Sequence, residues 1–173
     1  MSNFASIKFI SEYDKVVYYS VVINGDENEK SIFELFVENF TISEAKKLNH
    51  ILSWIKEIGS KYGAYPELFR DERHATALPP NGKKRKPSYI EHNASSSNPL
   101  RLYCHRLNTQ VVILFDGGIK TTAKAQDCPN VRTPFAMANI LALKIDEAFK
   151  SGEIEWTDEL DEILYEEAYK LYF

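Results

Sequence analysis

The sequence reads as an α+β fold in which an antiparallel sheet carries helices on one face. Three observations lead there. Residues 100–107 alternate with period two, so that Leu100, Leu102 and Cys104 share one side of a strand and Arg101, Tyr103 and His105 the other. Residues 111–115 are apolar throughout and rich in β-branched side chains, as in a central strand covered on both faces. Ala45, Leu48, Leu52, Ile55 and Ile58 recur at three and four, which gives a helix one apolar stripe.

Taken in order, residues 7–10 form a short leading strand and residues 16–23 (VVYYSVVI) a strong one. Asn24-Gly25-Asp26 turns the chain, and residues 31–37 (SIFELFV) return as the second strand of an N-terminal hairpin. Thr41-Ile-Ser-Glu44 has capping-box spacing ahead of the first helix, and Gly59 stands where a left-handed cap would close it. Tyr65-Pro66 opens a helical turn through Phe69, with Arg70 and Arg73 near its end. Periodicity then lapses over residues 75–98, apart from one candidate strand at 88–92.

Asn108-Thr109 separates the two central strands as a tight turn, and Asp116-Gly117-Gly118 ends or bulges the second. Thr133-Pro134 starts a helix carried by Phe135, Ala138, Leu141, Ile145, Ala148 and Phe149, and Ser151-Gly152 stops it. Beyond Trp156, Thr157 caps a final helix striped by Leu160, Ile163, Leu164, Ala168 and Leu171, with acids opposite. Residues 1–152 thus make one domain, and residues 153–173 an acidic helix packed on it.

Composition narrows the classes. A chain of 173 residues, 44% hydrophobic and 27% charged, is ordinary for a single globular domain. No apolar run approaches the ~20 residues a membrane helix needs, and the first residues lack a signal-peptide core; the expectation is a cytoplasmic protein without a membrane partner. Two cysteines cannot build a disulfide framework, and Cys104, on an apolar strand face, is better read as a buried thiol than as half of a bridge.

Charge is unevenly spread. Residues 153–173 hold eight acids and one base, a balance of −7 in a chain of −4, which leaves +3 on residues 1–152. Residues 61–133 hold twelve bases and six acids, an excess of +6. Such an excess suits an anionic ligand or is merely a solvated face. The run Lys83-Lys84-Arg85-Lys86 could grip a nucleic-acid backbone or form a solvated loop tip.

Zinc spacing of Cys and His, a phosphate-cradling glycine loop and a Gly-x-Ser-x-Gly elbow are all missing, so neither a metal nor a cofactor is expected. What remains is the strand face with Arg101, Tyr103 and His105, followed by Lys120-Thr-Thr-Ala-Lys124: a place to hold a phosphate. Arg101 could equally be a salt-bridge partner of a facing helix acid.

Over residues 41–150 the chain resembles the RelE/HigB-type toxins of bacterial toxin–antitoxin systems, in their phage-derived branch. The resemblance lies in Ala45-Lys-Lys-Leu-Asn49 at a helix start, Leu100-Arg-Leu-Tyr103 on a strand, the apolar Val111-Val-Ile-Leu114, Lys120-x-Thr122-x-Lys124, and a helix after it. Thr121 stands where that branch has a second lysine. The N-terminal hairpin, the long 75–98 loop and the acidic tail are additions to the family pattern.

The resemblance implies a RelE-like α+β domain that binds a cognate antitoxin and cuts mRNA, usually on the ribosome, without a metal. It implies Arg101, Lys120 and Lys124 around the scissile phosphate and His92 or His105 as acid or base. Tyr103 and Arg70, with Lys83, Lys84, Arg85 and Lys86, would hold the RNA. Metal-free attack by the 2′-hydroxyl needs a proton acceptor, a donor and cations about the transition state. Two other classes stay open: a non-catalytic nucleic-acid- or protein-binding module of the same fold, and an accessory protein of a mobile element.

Overall fold

A computed structural model of the chain describes residues 2–81, 87–91, 94–95 and 97–173. Two central strands, β7 (Leu100–Arg106) and β8 (Val111–Ile119), form the antiparallel pair that the alternation and the apolar run predict. Upstream lie β1 (Phe4–Glu12), β2 (Val17–Ile23), helices α1 (Ile32–Phe40) and α2 (Ala45–Glu57), and the hairpin β3 (Arg70–Glu72) with β4 (Ala75–Leu78). A small separate pair, β5 (Ile90–Glu91) and β6 (Ala94–Ser95), precedes β7. Helix α3 (Arg132–Ser151) follows β8, and β9 (Glu155–Trp156), β10 (Ile163–Leu164) and β11 (Leu171–Tyr172) complete the chain.

The main sheet has seven strands in the order β11-β1-β2-β8-β7-β4-β3, with β8 at its centre as the apolar run requires. It is antiparallel except where β2 meets β8: Val17, Tyr18 and Tyr19 pair in parallel with Val111, Val112 and Ile113. That corrects the all-antiparallel expectation. A parallel neighbour needs a long crossover, and α1 and α2 lie within the one that links β2 to β8.

Helices cover both faces, not one. On one side Phe33, Phe36, Leu48, Ile51, Trp54 and Ile55 from α1 and α2 pack against Tyr18, Val112, Leu114, Leu102 and Cys104. On the other, Phe135, Ala138, Leu141, Ala142 and Ile145 of α3 pack against Tyr19, Tyr103, Ile113 and Phe115. A strand apolar at every position leaves no face fit for water, and residues 111–115 are fully buried. The alternation of β7 is kept: Leu100, Leu102 and Cys104 face α2, and Tyr103 faces α3.

Three expectations fail for identifiable reasons. Residues 31–37 form α1 instead of a returning strand. Ser31 caps it, accepting from the Glu34 amide at 3.1 Å while the Glu34 carboxylate accepts from the Ser31 amide at 2.7 Å. Ile32, Phe33 and Phe36 then bury with helical spacing that outweighs their β propensity. The hairpin partner of β2 is instead β1. At α2 the expected box is absent; the Thr41 hydroxyl donates to Val37 O at 2.5 Å, and Ile51 and Trp54 fill the stripe while Ala45 stays exposed. Helix α2 runs past Gly59 in a π turn to Tyr62, and Gly63 (φ 86) closes it. Gly59 is needed because Tyr13 packs on it, leaving a β-carbon 2.6 Å from the ring.

The acidic tail is not a helix. Glu155 and Glu159, like Asp158 and Glu162 or Glu162 and Glu166, would stack like charges at i,i+4. Thr157 turns the chain instead, its hydroxyl donating to Asp161 Oδ1 at 2.9 Å and accepting from the Glu162 amide at 3.2 Å. The segment buries Ile154, Ile163 and Leu171 beside α3 and adds β11 to the edge of β1, across the sheet from β3. Both cysteines are free and buried, and no described helix is long and apolar enough to cross a membrane.

The β7–β8 pair shifts register between Leu102 and Cys104, opposite Asp116-Gly117-Gly118. There the backbones touch: a β-carbon on Gly117 would lie 1.7 Å from the Arg101 carbonyl oxygen. Gly152 (φ 78) ends α3 with open space around it. Gly117→Ala is expected to cost more stability than Gly152→Ala, because a backbone clash cannot relax as a strained φ can; the latter should cost about 1 kcal/mol. Thermal unfolding of the two variants checks the order.

Candidate functional site

The face of β7 that carries Arg101 and Tyr103 lies beside the β3–β4 hairpin and is buried. Register across these strands puts Arg70, Ala77 and Tyr103 in one row on the α3 side of the sheet. Arg101 precedes Tyr103 by two residues on the same side, and Glu72 follows Arg70 by two. Lys120 leaves the end of β8, where its amide donates to Pro99 O at 2.9 Å. The Phe135 ring lies 5.9 Å from that of Tyr103, so the first turn of α3 packs beside this row.

Arg101 is the key group. It is only 7% exposed, yet no described carboxylate lies within ion-pair distance of it. Its Nη1 donates to the carbonyls of Asn98 and, at 3.1 Å, Leu100, while its buried Nε has no hydrogen-bond partner among the described residues. Burial, with the charge of Arg70, pulls the guanidinium down to about 10, so it stays charged at neutral pH. The Tyr103 hydroxyl, fully buried, also lacks a partner, and burial holds it well above the usual phenol range. Buried polar groups are normally satisfied, so the Arg101 Nε and the Tyr103 hydroxyl are each free to donate to a water or another acceptor.

Glu72 completes the cluster. Burial lifts its carboxyl above the ordinary value, opposed by the charges of Lys120, Arg101 and Arg70. Arg70 is oriented by its Nε, which donates to Pro79 O at 2.7 Å. The charges of Lys120, Arg101 and Arg70 act on the Glu72 carboxyl together with that of the neighbouring Asp71. Cys128 lies nearby, close enough for its charge to act on Tyr103; its sulfur accepts from the Thr121 amide at 3.3 Å.

Of the residues the sequence nominates, Arg101, Tyr103, Lys120 and Arg70 come together. His105 does not. Four residues along β7 from Arg101, at roughly 3.3 Å per residue, it is about 13 Å away, and its Nε2 is held by Asp146 of α3 at 2.8 Å. Lys124 is exposed on the following loop, its carbonyl accepting from the Thr122 hydroxyl at 2.7 Å. His92, Lys83, Lys84, Arg85 and Lys86 lie outside the described residues.

The helical turn expected from Tyr65 through Phe69 is present at Pro66–Leu68, but Glu72 was missed because no strand was expected directly after it. The available signal was the alternation of Arg70 and Glu72 ahead of the Ala75-Thr-Ala-Leu78 strand. Among the described residues no three His, Cys, Asp or Glu side chains are grouped to hold a metal ion. No family model, curated protein or solved structure matches the chain.

The cluster predicts a specific titration. Arg101→Gln removes one of the cations that hold the Glu72 carboxyl down, so that carboxyl should rise further above 4.5. A raised carboxyl contributes stability below its unfolded value that is lost as pH rises through the folded value. The stability of the variant should therefore fall more steeply than the parent's from about pH 4.5 upward. Carbon-13 titration of the Glu72 carboxyl checks this; an unmoved midpoint would show that the two charges do not interact.

Proposed function

We propose that this chain is a RelE/HigB-type toxin that binds RNA at the Arg101 cluster and cleaves it without a metal. The observation that carries the proposal is a nearly buried Arg101 with no carboxylate in ion-pair distance among the described residues, near Arg70, Lys120 and the Tyr103 hydroxyl. The succession of elements lends support: α2, the Arg-bearing β7, the apolar β8, the Lys120 segment and α3 follow in the order that the resemblance implies.

A phosphodiester placed among these cations would meet the charge its transition state develops, in a partly dehydrated site where such charges act strongly. Arg101, Arg70 and Lys120 stabilise the phosphorane-like oxygens. Tyr103 donates a hydrogen bond to a phosphate oxygen, and as the P–O5′ bond breaks the departing 5′-oxygen takes its proton from water. Glu72 replaces the histidines as proton acceptor for the 2′-hydroxyl, since burial raises its basicity against the opposing charges of Lys120, Arg101 and Arg70. A cognate antitoxin would neutralise the chain by covering this end of the sheet.

One observation favours a second reading, a binding module that does not cut: His105 is engaged by Asp146 away from the cluster. Induced expression separates the two. The proposal expects growth arrest and cleaved transcripts with the parent chain, and loss of both with Arg101→Gln or Lys120→Ala. Glu72→Gln should bind RNA but cut at least a hundredfold more slowly, within the range for losing a general base. Glutamine at 101 fills more of the buried space than alanine, so the folded state is tested less severely. Arrest without cleavage would support the binding module, and arrest unchanged by either cation variant would remove the site.

A further inference from the structure

We infer that Asn98 is a positioning residue for Arg101, tying the guanidinium to helix α2 through His50; this rests on Arg101 being the phosphate-binding group. Asn98 is 2% exposed at the entry to β7. Its Oδ1 accepts from the Leu100 amide at 3.0 Å, and its Nδ2 donates to the Lys47 carbonyl at 2.9 Å and meets His50 Nδ1 at 3.0 Å. The main-chain carbonyl of Asn98 accepts from Arg101 Nη1, and the next carbonyl, that of Pro99, accepts from the Lys120 amide. Two of the cluster's cations are therefore indexed to one short segment, and the Asn98 side chain fastens that segment to α2.

A backbone amide on one side and a backbone carbonyl on the other allow Asn98 a single orientation, with its NH₂ towards His50 Nδ1. The Trp54 indole N–H donates to His50 Nε2 at 3.2 Å, and the Pro87 carbonyl lies 3.3 Å from the same nitrogen, so two donors face a neutral ring with one lone pair to offer. Burial lowers the basicity of His50, and the Pro87 contact only partly offsets this, so the neutral ring is the resting form. The Tyr89 ring lies 5.4 Å from His50, and Lys47, one turn earlier, is held by Glu44 at 2.6 Å and Glu91 at 3.1 Å. Protonating His50 would set N–H against NH₂ and release the segment.

Asn98→Asp inverts this logic. Aspartate still accepts from the Leu100 amide, but turns a carboxylate oxygen towards His50 and the Lys47 carbonyl. At neutral pH that contact is acceptor against acceptor; with His50 protonated it becomes an ion pair. The test is the affinity of a short labelled single-stranded RNA for parent, Asn98→Asp, His50→Gln and Arg101→Gln, followed by anisotropy from about pH 8 to pH 5, the range in which histidines titrate.

Asn98→Asp should bind about tenfold more weakly than the parent at neutral pH, the equivalent of one good hydrogen bond, and the ratio should shrink as pH falls. His50→Gln leaves no group at that position that titrates in this range, so its affinity should stay level where the parent's falls in acid; it also serves if the aspartate variant does not fold. Glu72 is common to all of these chains except in its neighbours at Arg101, so the ratios isolate the pair 50–98. Ratios that stay constant with pH would overturn the positioning role while Arg101→Gln still loses binding. Parent and Arg101→Gln binding alike would instead remove the phosphate site itself.

Discussion

The close approach of Gly117 to the Arg101 carbonyl is the constraint on which the rest of the structure depends. Because residue 117 has no side chain, β7 and β8 keep contact through a register shift and do not splay apart at the polar end. That contact fixes the backbone of Arg101 near the start of β7, against the central strand β8. Helices on both faces then exclude water from β7, so the direction of the Arg101 side chain is set by packing and not by solvation. A guanidinium held this way is costly to bury without an anion, which is why its unpaired Nε carries functional weight.

Electrostatics at the cluster follow from the same burial. A solvated arginine beside a solvated glutamate would form a surface ion pair of little consequence. Here Glu72 is half-buried and shared among Arg101, Lys120 and Arg70, so none of the three is neutralised by it alone. The acidic tail, whose −7 could have screened the cluster, instead pairs β11 with β1 at the other edge of the sheet. The basic end of the sheet is left without that counter-charge, and the tail's apolar residues serve the α3-side core.

How much of this was legible depends on period and range. The alternation over β7 correctly put Arg101 and Tyr103 opposite Leu100 and Leu102, because a strand's period is two and one misplaced residue would bury the wrong set. The apolar run correctly made β8 central, and Gly152 correctly ended α3. Residues 31–37 misled because Phe and Ile favour both strands and buried helices, and only the Ser31–Glu34 box distinguishes them. The tail misled because an apolar stripe at helical spacing takes no account of like charges one turn apart. For Glu72 the alternation with Arg70 could have marked the strand, but not the company of Arg101 and Lys120, because no local pattern records a meeting of distant segments. His105 shared a strand face with Arg101 as expected, yet distance along the strand separates their roles.

The central claim is that Arg101 receives a phosphate. Nitrogen-15 spectra of the arginine Nε–H groups during titration with a short single-stranded RNA test it most directly, because each guanidinium has a different starting partner. Arg106 Nε is held by the Ala64 carbonyl and Arg70 Nε by that of Pro79, whereas Arg101 Nε is unpaired. The account predicts a saturable downfield shift and slowed exchange at Arg101 Nε with Arg106 unmoved. RNA that binds and shifts other arginines while leaving Arg101 unchanged would contradict it.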